Sequence, residues 1–169
     1  MMKRYRFDAE KAVEVILYIA HTSPNMYNAL KVLYFADKDH LSKHGRQLCG
    51  DQYVAMSHGP VPSGAYDLVK YARGDGCMFV DLPLEEAFHL ERYNITPHRE
   101  PNLELLSESD IECLDAAIEH YGHLPFGELK KLSHDDAFKS ADENDFISLE
   151  VIIDTLDDGE LLLEYLQDN

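Results

Sequence analysis

The chain has 169 residues, of which 45% are hydrophobic, and a formal net charge of −17 from 32 acidic and 15 basic side chains. This size and composition predict one globular domain over 1–169, and no stretch approaches the roughly 20 apolar residues of a membrane span. A surface of this charge repels nucleic-acid phosphates and favours basic protein partners. We therefore expect neither DNA nor a membrane as the partner.

The three cysteines, Cys49, Cys77 and Cys113, are scattered without the spacing of a metal site. An odd and sparse set argues against a disulfide framework and for a reducing compartment. Residues 1–7 are basic and aromatic, and no apolar signal-peptide region follows them. These features predict a cytoplasmic protein.

The predicted elements are mostly helices, placed by capping residues and apolar periodicity. The predicted ranges are 9–20 after Asp8, 26–43 before Gly45, 63–72, 108 to about 122 after Ser107, about 126–132, 149–156 and 160–166. Two short strands are predicted at 52–57 and 87–97, and we expect them to pair with each other. The fold class is therefore α+β, predominantly α, with a small inserted antiparallel β-sheet.

The second predicted helix carries an aspartate, Asp37, inside an apolar stripe within YFADKDHLSKHGR at 34–46. On a helical wheel at about 100° per residue, Leu33, Tyr34 and Leu41 lie within about 60° of it. A buried and unpaired carboxylate is very costly, so Asp37 needs partners or a raised pKa. A metal site, an acid/base pair and a buried structural lock are the three interpretations.

His40 and His44 follow Asp37 on the same helical face, and two histidines at this spacing can bind zinc. However, the segment has no H-E-x-x-H pattern, and no cysteine lies near it in sequence. A nucleophilic site needs a serine or cysteine beside a histidine, and the sequence singles out none. We favour a lock in which Asp37 accepts hydrogen bonds from backbone amides or from a histidine such as His58. His44 is then a solvated residue at the helix end.

A second cluster lies in GDQYVAMSHGPVPSGAYDLVK at 50–70. Gly59, Pro60 and Pro62 predict a stiff turn, and Asp51 follows Gly50 in a second turn. Ordinary turn chemistry accounts for these residues. A stiff loop joined to a buried polar network is also a good recognition surface, because preorganisation lowers the entropy cost of binding. We expect the turn at 58–62 to lie beside Asp37 at one end of the domain.

Together these segments resemble the Panacea domain, also called the SocA-like antitoxin domain. The matching pieces are LKVLYFADKDHLSKHGRQLCGDQYVAMSHGPVPSGAYDLVK at 30–70 and LKKLSHDDAFKSA at 129–141, within a likeness that runs from about 9 to 153. Phe138 stands where the family often has tryptophan. The resemblance marks ten motif positions as structural or toxin-binding, with no catalytic or metal role: Asp37, His40, Gly50, Asp51, Tyr53, His58, Gly59, Pro60, Pro62 and His134.

The resemblance implies the antitoxin of a bacterial or prophage toxin–antitoxin pair. Family members neutralise unrelated toxins, often ones that block translation, including toxins similar to small alarmone synthetases. At least one branch instead delivers its toxin to a protease. Many relatives carry an additional DNA-binding domain, and we expect none here because the likeness begins within ten residues of the start.

We therefore predict a cytoplasmic antitoxin that is not an enzyme, uses no cofactor and directly binds a toxin with a basic surface. Two alternatives stay open. One is a proteolytic adaptor, and the other is a small metal-assisted enzyme built on Asp37, His40 and His58. No oligomeric state is predicted.

Overall fold

Helices dominate the computed structural model, which describes residues 6–76 and 81–168. The helices are α1 (Ala9–Ala20), α2 (Met26–His44), α3 (Ser63–Ala72), α4 (Leu84–Ala87), α5 (Glu108–Tyr121), α6 (Phe126–Ser133), α7 (Asp136–Lys139), α8 (Leu149–Asp154) and α9 (Gly159–Asp168). The strands are β1 (Tyr53–Met56), β2 (Gly59–Pro62), β3 (Phe88–Glu91), β4 (Asn94–Pro97) and β5 (Phe146–Ile147). The predicted class, mostly α with small antiparallel sheets, is confirmed.

The longest helix, α2, is the centre of the domain and packs against α1, α3, α5, α6, α8 and β2. It begins at Asn25, whose side chain accepts the amide N–H groups of Tyr27 and Asn28. It ends at Gly45, where φ is 71°, a left-handed conformation that glycine adopts without steric cost. Nineteen residues span about 28 Å, so α2 runs across most of the domain.

The strands pair differently from the prediction. β1 pairs with β2, which places Met56 opposite Gly59, and β5 adds to the other edge of β1. β3 and β4 form a separate hairpin, so the expected pairing of 52–57 with 87–97 is wrong. A hairpin closed through two residues costs less loop entropy than a distant pairing. Pro60 and Pro62 therefore lie in an edge strand, where a missing N–H is tolerated.

The loop of the β3–β4 hairpin lies over the start of α2. The Met26 N–H donates to the Tyr93 carbonyl at 2.7 Å, and the Ile95 N–H donates to the Pro24 carbonyl at 2.7 Å. The first bond gives a partner to an amide at the open end of the helix. This packing also brings the Tyr93 ring to 5.6 Å from the Tyr27 ring.

Two apolar clusters form the core. The larger lies where α1, α2, α3 and α5 meet and extends to the second hairpin through Phe88 and Ile95. The smaller lies beneath the three-stranded sheet, and its buried members are Tyr34, Leu41, Tyr53, Ala55, Ala137, Ile147, Ile152 and Ile153. This second cluster holds α7 and α8 against the central helix.

Buried polar groups join the larger elements. Asp110, in the first turn of α5, lies 2.7 Å from the Lys11 ammonium and 3.2 Å from the Arg46 guanidinium. Burial alone would raise the pKa of Asp110, but the hydrogen bond with Lys11, the Ser107 amide and the two cations hold it below its usual value. Asp110 also completes the capping box of α5 with Ser107. One carboxylate therefore ties α1, α5 and the loop after α2 together.

Cys49 and Cys113 are buried free thiols, whereas Cys77 and the first five residues lie outside the described part of the chain. Among the helices of residues 6–76 and 81–168, none combines the length and the apolar character needed to cross a membrane.

Candidate functional site

Asp37 lies on α2 and faces the chain that leaves the helix. Its Oδ1 accepts the Leu48 N–H at 2.7 Å, and its Oδ2 accepts the Tyr53 hydroxyl at 2.5 Å. The carboxylate therefore ties the helix to the following loop and to β1. The expected backbone amide donor is present. The expected histidine donor is not, because His58 lies in the turn at the far end of the β1–β2 hairpin.

The environment of Asp37 shifts its protonation equilibrium. Burial raises the pKa of Asp37 to about 6, although the hydrogen bonds from Tyr53 and Leu48 act in the opposite direction. Burial and the adjacent Asp37 charge raise the pKa of the Tyr53 hydroxyl well above its usual value. Tyr53 therefore stays protonated and remains a donor at physiological pH.

Asp51 anchors the base of the same hairpin to α3. Its carboxylate accepts the N–H groups of Gly64 at 2.7 Å and Ala65 at 2.9 Å, and also that of Gln52. Amides in the first turn of a helix have no partner within the helix, and negative charge is favourable there. Asp51 therefore caps α3 from a distance, which is more than the turn role predicted for it. Gly50, with φ of 70°, directs the chain into this position.

His40 points away from Asp37 and towards α5. Its Nδ1 lies 2.7 Å from the Arg46 carbonyl oxygen, and its Nε2 lies 2.9 Å from the Ser109 hydroxyl. Because Nδ1 must donate to a carbonyl, Nε2 is left to accept from Ser109. Burial lowers the pKa of His40, against the effect of the Arg46 carbonyl, so the ring is neutral.

The interpretation that groups Asp37 with His40 and His44 is therefore wrong for Asp37, although the two histidines do meet. Asp37 and His40 lie on successive turns of α2 and differ by about 60° in direction around the helix axis. Asp37 therefore faces β1, whereas His40 faces α5. The alternative enzyme site of Asp37, His40 and His58 also does not assemble. His44 is exposed, as expected, and its ring lies 4.7 Å from that of His40.

A different set of potential metal ligands does meet. One ligand atom each from His40, His44 and Cys113 lie within 4.8 Å of one another, because α5 brings Cys113 to the histidines. Zinc needs a thiolate and a free imidazole nitrogen. Burial and Asp39 raise the pKa of Cys113 to about 12, and both ring nitrogens of His40 already have hydrogen-bond partners. A metal ion at this set would have to displace the Cys113 proton and the Ser109 hydrogen bond to His40 Nε2.

The two sequence motifs meet at the tip of the β1–β2 hairpin. Gly59 has φ of 124°, and a Cβ built there would lie 2.7 Å from both the Lys31 Nζ and the Ser133 Oγ. Burial and the charge of Lys31 lower the pKa of His134, although a hydrogen bond with the His58 backbone raises it. The end of α6 thus closes directly over the tip, and position 59 has a backbone conformation that residues other than glycine adopt only with strain.

A cavity of about 600 Å³ opens beside this tip. We call it the tip pocket. α2 forms its base, the hairpin forms one wall, and four aromatic rings surround the remaining sides. The lining residues are Asn25, Tyr27, Asn28, Leu30, Lys31, Met56, Ser57, His58, Pro60, Val61, Tyr66, Tyr93 and Phe126. Its volume is typical of pockets that bind a small molecule or a side chain.

Lys31 is a functional candidate that the sequence reasoning missed. It is only 3% exposed, and its ammonium lies 5.8 Å from the centre of the Phe126 ring. Burial lowers the pKa of Lys31 to about 8, and the charge of Lys130 acts in the same direction. The available signal was a lysine within ALKVLYFA, a segment that is apolar on nearly all sides of a helix.

A family model described as the SocA-like antitoxin, Panacea domain, matches residues 30–139. The match covers more than half of the chain and includes all ten motif positions. The chain belongs to the SocA-like antitoxin family. Membership implies a cognate toxin as the partner and suggests a non-enzymatic role. Searches of curated proteins and of solved structures give no match.

Replacing Asp37 with leucine should strongly destabilise the Panacea domain. The Leu48 amide and the Tyr53 hydroxyl would lose their acceptor, and each buried donor left unsatisfied costs roughly 1–3 kcal/mol. Urea unfolding measures this loss. Asp67→Leu is the control, since the Asp67 side chain is 61% exposed and pairs with Lys70 at the surface. An Asp37→Leu protein as stable as the parent would contradict the lock.

The Asp37 proton should also be linked to folding. Its pKa is about 6 in the native state, compared with a usual value of 3.8, so the folded chain binds this proton more tightly. The stability due to Asp37 is therefore greatest at low pH and is lost as pH rises from about 4 towards about 6. We expect the difference in unfolding free energy between the parent and Asp37→Asn to fall over this range. A difference independent of pH would disprove the shift.

Gly59→Ala should destabilise the hairpin tip by more than about 1 kcal/mol, because alanine is strained at this φ and meets Lys31 and Ser133. Gly127→Ala is the matched control. Nothing lies within 4 Å of a Cβ at Gly127, which is inside α6, so alanine there should be neutral or stabilising. Thermal melts of the two variants provide the comparison, and equal melting temperatures would be inconsistent with a closed tip.

Proposed function

We propose that this Panacea domain is a cytoplasmic, single-domain antitoxin that neutralises its toxin by direct protein–protein binding, with the tip pocket at the contact surface. The supporting observation is the convergence of the two family motifs. The segment at 30–70 supplies the hairpin and the base of the pocket, and the segment at 129–141 supplies Ser133 and His134 against the tip. These segments are far apart in sequence and meet beside one cavity.

The rigidity of this region favours recognition. Asp37 and Asp51 fix the base of the hairpin through five hydrogen bonds to backbone amides and to Tyr53. Gly59 and α6 fix its tip. A surface held in one conformation before binding loses less entropy in the complex. The motif positions would then act by holding the pocket walls in place, and most of them need not touch the toxin.

The charge of the chain suggests the type of toxin. A net charge of −17 would attract a protein with a basic surface and speed the encounter between the two. Toxins that act on translation handle nucleotides or tRNA and therefore present basic clefts. We propose such a toxin, with an alarmone-synthetase-like enzyme as one candidate, from a bacterial or prophage gene pair.

The proteolytic-adaptor alternative differs from direct blocking in its consequence. An adaptor lowers the amount of toxin in the cell, whereas a blocker leaves it intact in a complex. The metal-assisted enzyme is less well supported, since Asp37, His40 and His58 face different parts of the domain.

Co-expression with the protein encoded by the neighbouring gene tests the proposal. We expect growth to be restored and the two proteins to purify together, with the toxin level unchanged. Tyr93, 52% exposed at the pocket rim, is the first side chain to remove, because buried aromatic anchors dominate interface energies. Tyr93→Ala should weaken the complex by about tenfold or more, which isothermal titration calorimetry measures.

Tyr165→Ala is the matched control for this measurement. Tyr165 is 63% exposed on α9, a helix that contacts Gly45 at the opposite end of α2 from the pocket. Its removal should leave the affinity unchanged. If Tyr165→Ala weakens the complex and Tyr93→Ala does not, the contact lies on the C-terminal helices. A parent chain that neither binds nor neutralises the toxin would refute direct binding altogether.

A further inference from the structure

Lys31 differs from the buried carboxylate and histidine side chains among the described residues, because those groups have partners. Glu14 binds Arg99, Asp110 binds Lys11, and Asp37, His40 and Asp51 have the hydrogen bonds described above. Within residues 6–76 and 81–168, no carboxylate forms an ion pair with Lys31 and no acceptor takes a hydrogen bond from it. Burying an uncompensated charge destabilises a fold, so a function must account for this lysine.

The surroundings of Lys31 are positive, although the chain as a whole is strongly acidic. Burial and the charge of Lys130 on α6 lower the pKa of Lys31, and burial and the charge of Lys31 in turn lower the pKa of the neighbouring His134. The described residues that line the tip pocket include no carboxylate. Arg73 lies 5.5 Å from the Tyr93 ring centre, and Lys70 lies 4.6 Å from that of Tyr66. Both of these cations pair with aspartates beside the pocket, whereas the Lys31 charge is uncompensated. The pocket is therefore suited to an anionic group.

Asn28 adds a second requirement. Its side-chain Oδ1 is buried without a hydrogen-bond donor among the described residues. Asn28 precedes Lys31 by three residues on α2, so the two side chains share a helical face and both line the pocket. A ligand that satisfies both presents an anion to Lys31 and a hydrogen-bond donor, such as an N–H group, to Asn28.

The final residue of a polypeptide has this combination, because it carries a free carboxylate and a backbone N–H on either side of one Cα. We propose that the tip pocket captures the C-terminal residue of the partner toxin, with its carboxylate on Lys31 and its N–H on Asn28. An apolar or aromatic side chain would lie among the rings of the pocket, which are those of Tyr27, Tyr66, Tyr93 and Phe126. This inference rests on the proposed function of direct toxin binding.

Binding at this site should depend on pH. The pKa of Lys31, about 8 in the free chain, must rise when a carboxylate binds, so the chain takes up a proton on binding above that pH. Affinity for the carboxylate is therefore highest below pH 8 and falls as pH rises through the pKa of Lys31. A ligand without a carboxylate lacks this dependence.

The first experiment uses the full chain and a pair of small probes, N-acetyl-L-phenylalanine and N-acetyl-L-phenylalanine amide, which differ only in the carboxylate. NMR titration should show millimolar binding of the acid, with shifts at Asn28, Lys31 and Tyr93, as expected for a ligand of this size. The dissociation constant of the amide should be higher than that of the acid by a factor of about ten or more. Equal binding of both probes, or no binding of the acid at millimolar concentration, would overturn the inference.

Lys31→Met tests the residue itself, with Lys43→Met as the matched control. Lys43 lies on the same helix, but its side chain is 52% exposed and pairs with Asp39. Lys31→Met should keep or raise the melting temperature, because an uncompensated buried charge is replaced by a similar apolar shape. It should abolish the preference for the acid and the pH dependence, whereas Lys43→Met should change neither. A preference that survives in Lys31→Met would refute the assignment.

The toxin complex distinguishes this inference from the proposed function. Converting the C-terminal carboxylate of the toxin to a carboxamide, or replacing Lys31 with methionine, should each weaken the complex by about tenfold. If Lys31→Met weakens it but the amidated toxin binds normally, the anion is an internal aspartate or glutamate and the C-terminal assignment is wrong. If neither change weakens the toxin complex while Tyr93→Ala does, direct binding at the tip pocket is supported and the inference about Lys31 is wrong.

Discussion

The fold depends on a helix that is surrounded by protein along most of its length and yet carries ionisable side chains inward. Each inward polar group on α2 needs a partner from whichever element passes over it. Asp37 takes the Leu48 amide and the Tyr53 hydroxyl, and His40 takes the Arg46 carbonyl and Ser109. These partners belong to the following loop, the first strand and α5. The hydrogen bonds of the buried polar side chains on α2 therefore fix the loop after it, β1 and α5 in both distance and orientation. Apolar packing alone does not fix orientation in this way.

The same requirement fails at the other end of the helix. Six residues before Asp37, the Lys31 ammonium faces a ring and a cavity instead of an acceptor. Buried groups that break local rules tend to mark functional positions, because selection otherwise replaces a destabilising charge with an apolar side chain. The buried polar groups near the hairpin base therefore have hydrogen-bond partners, whereas Lys31, beside the hairpin tip, has none among the described residues and faces the open pocket. The hydrogen bonds at the hairpin base hold the walls of the tip pocket in position.

The sequence predicted those parts of the structure that depend on local chemistry. Asp8 and Ser107 correctly predicted the starts of α1 and α5, and Gly45 correctly predicted the end of α2. A capping residue interacts only with the adjacent turn of its helix, so its effect is visible in the local sequence. The burial of Asp37 followed from the pattern of apolar residues around it. Its amide donor was foreseen as a type of group, but the position of that donor was not.

The failures all concern groups that meet only through tertiary packing. Tyr53 reaches Asp37 because β1 returns along α2, and Cys113 reaches His40 because α5 crosses the end of that helix. Strand pairing was misjudged for a related reason. Prolines occur both at the end of a turn and in an edge strand, so Pro60 and Pro62 do not distinguish these two cases in the sequence. Only the pairing of β2 with β1 on one side shows that they lie in an edge strand. The tip pocket has no linear signature, since its walls come from α2, α3, α6 and both hairpins.

A pocket of this kind bears on how one fold could inhibit toxins that share no fold. The resemblance implies that family members neutralise unrelated proteins, and an extended surface matched to one partner would not transfer to another. A chain end is different, because every polypeptide has a carboxylate and an N–H at its last residue, whatever its fold. A site that reads those two groups and accepts an apolar side chain makes few demands on the rest of the partner. Specificity would then come from the residues around the pocket, which lie on loops and helix ends where substitutions seldom disturb the Asp37 lock.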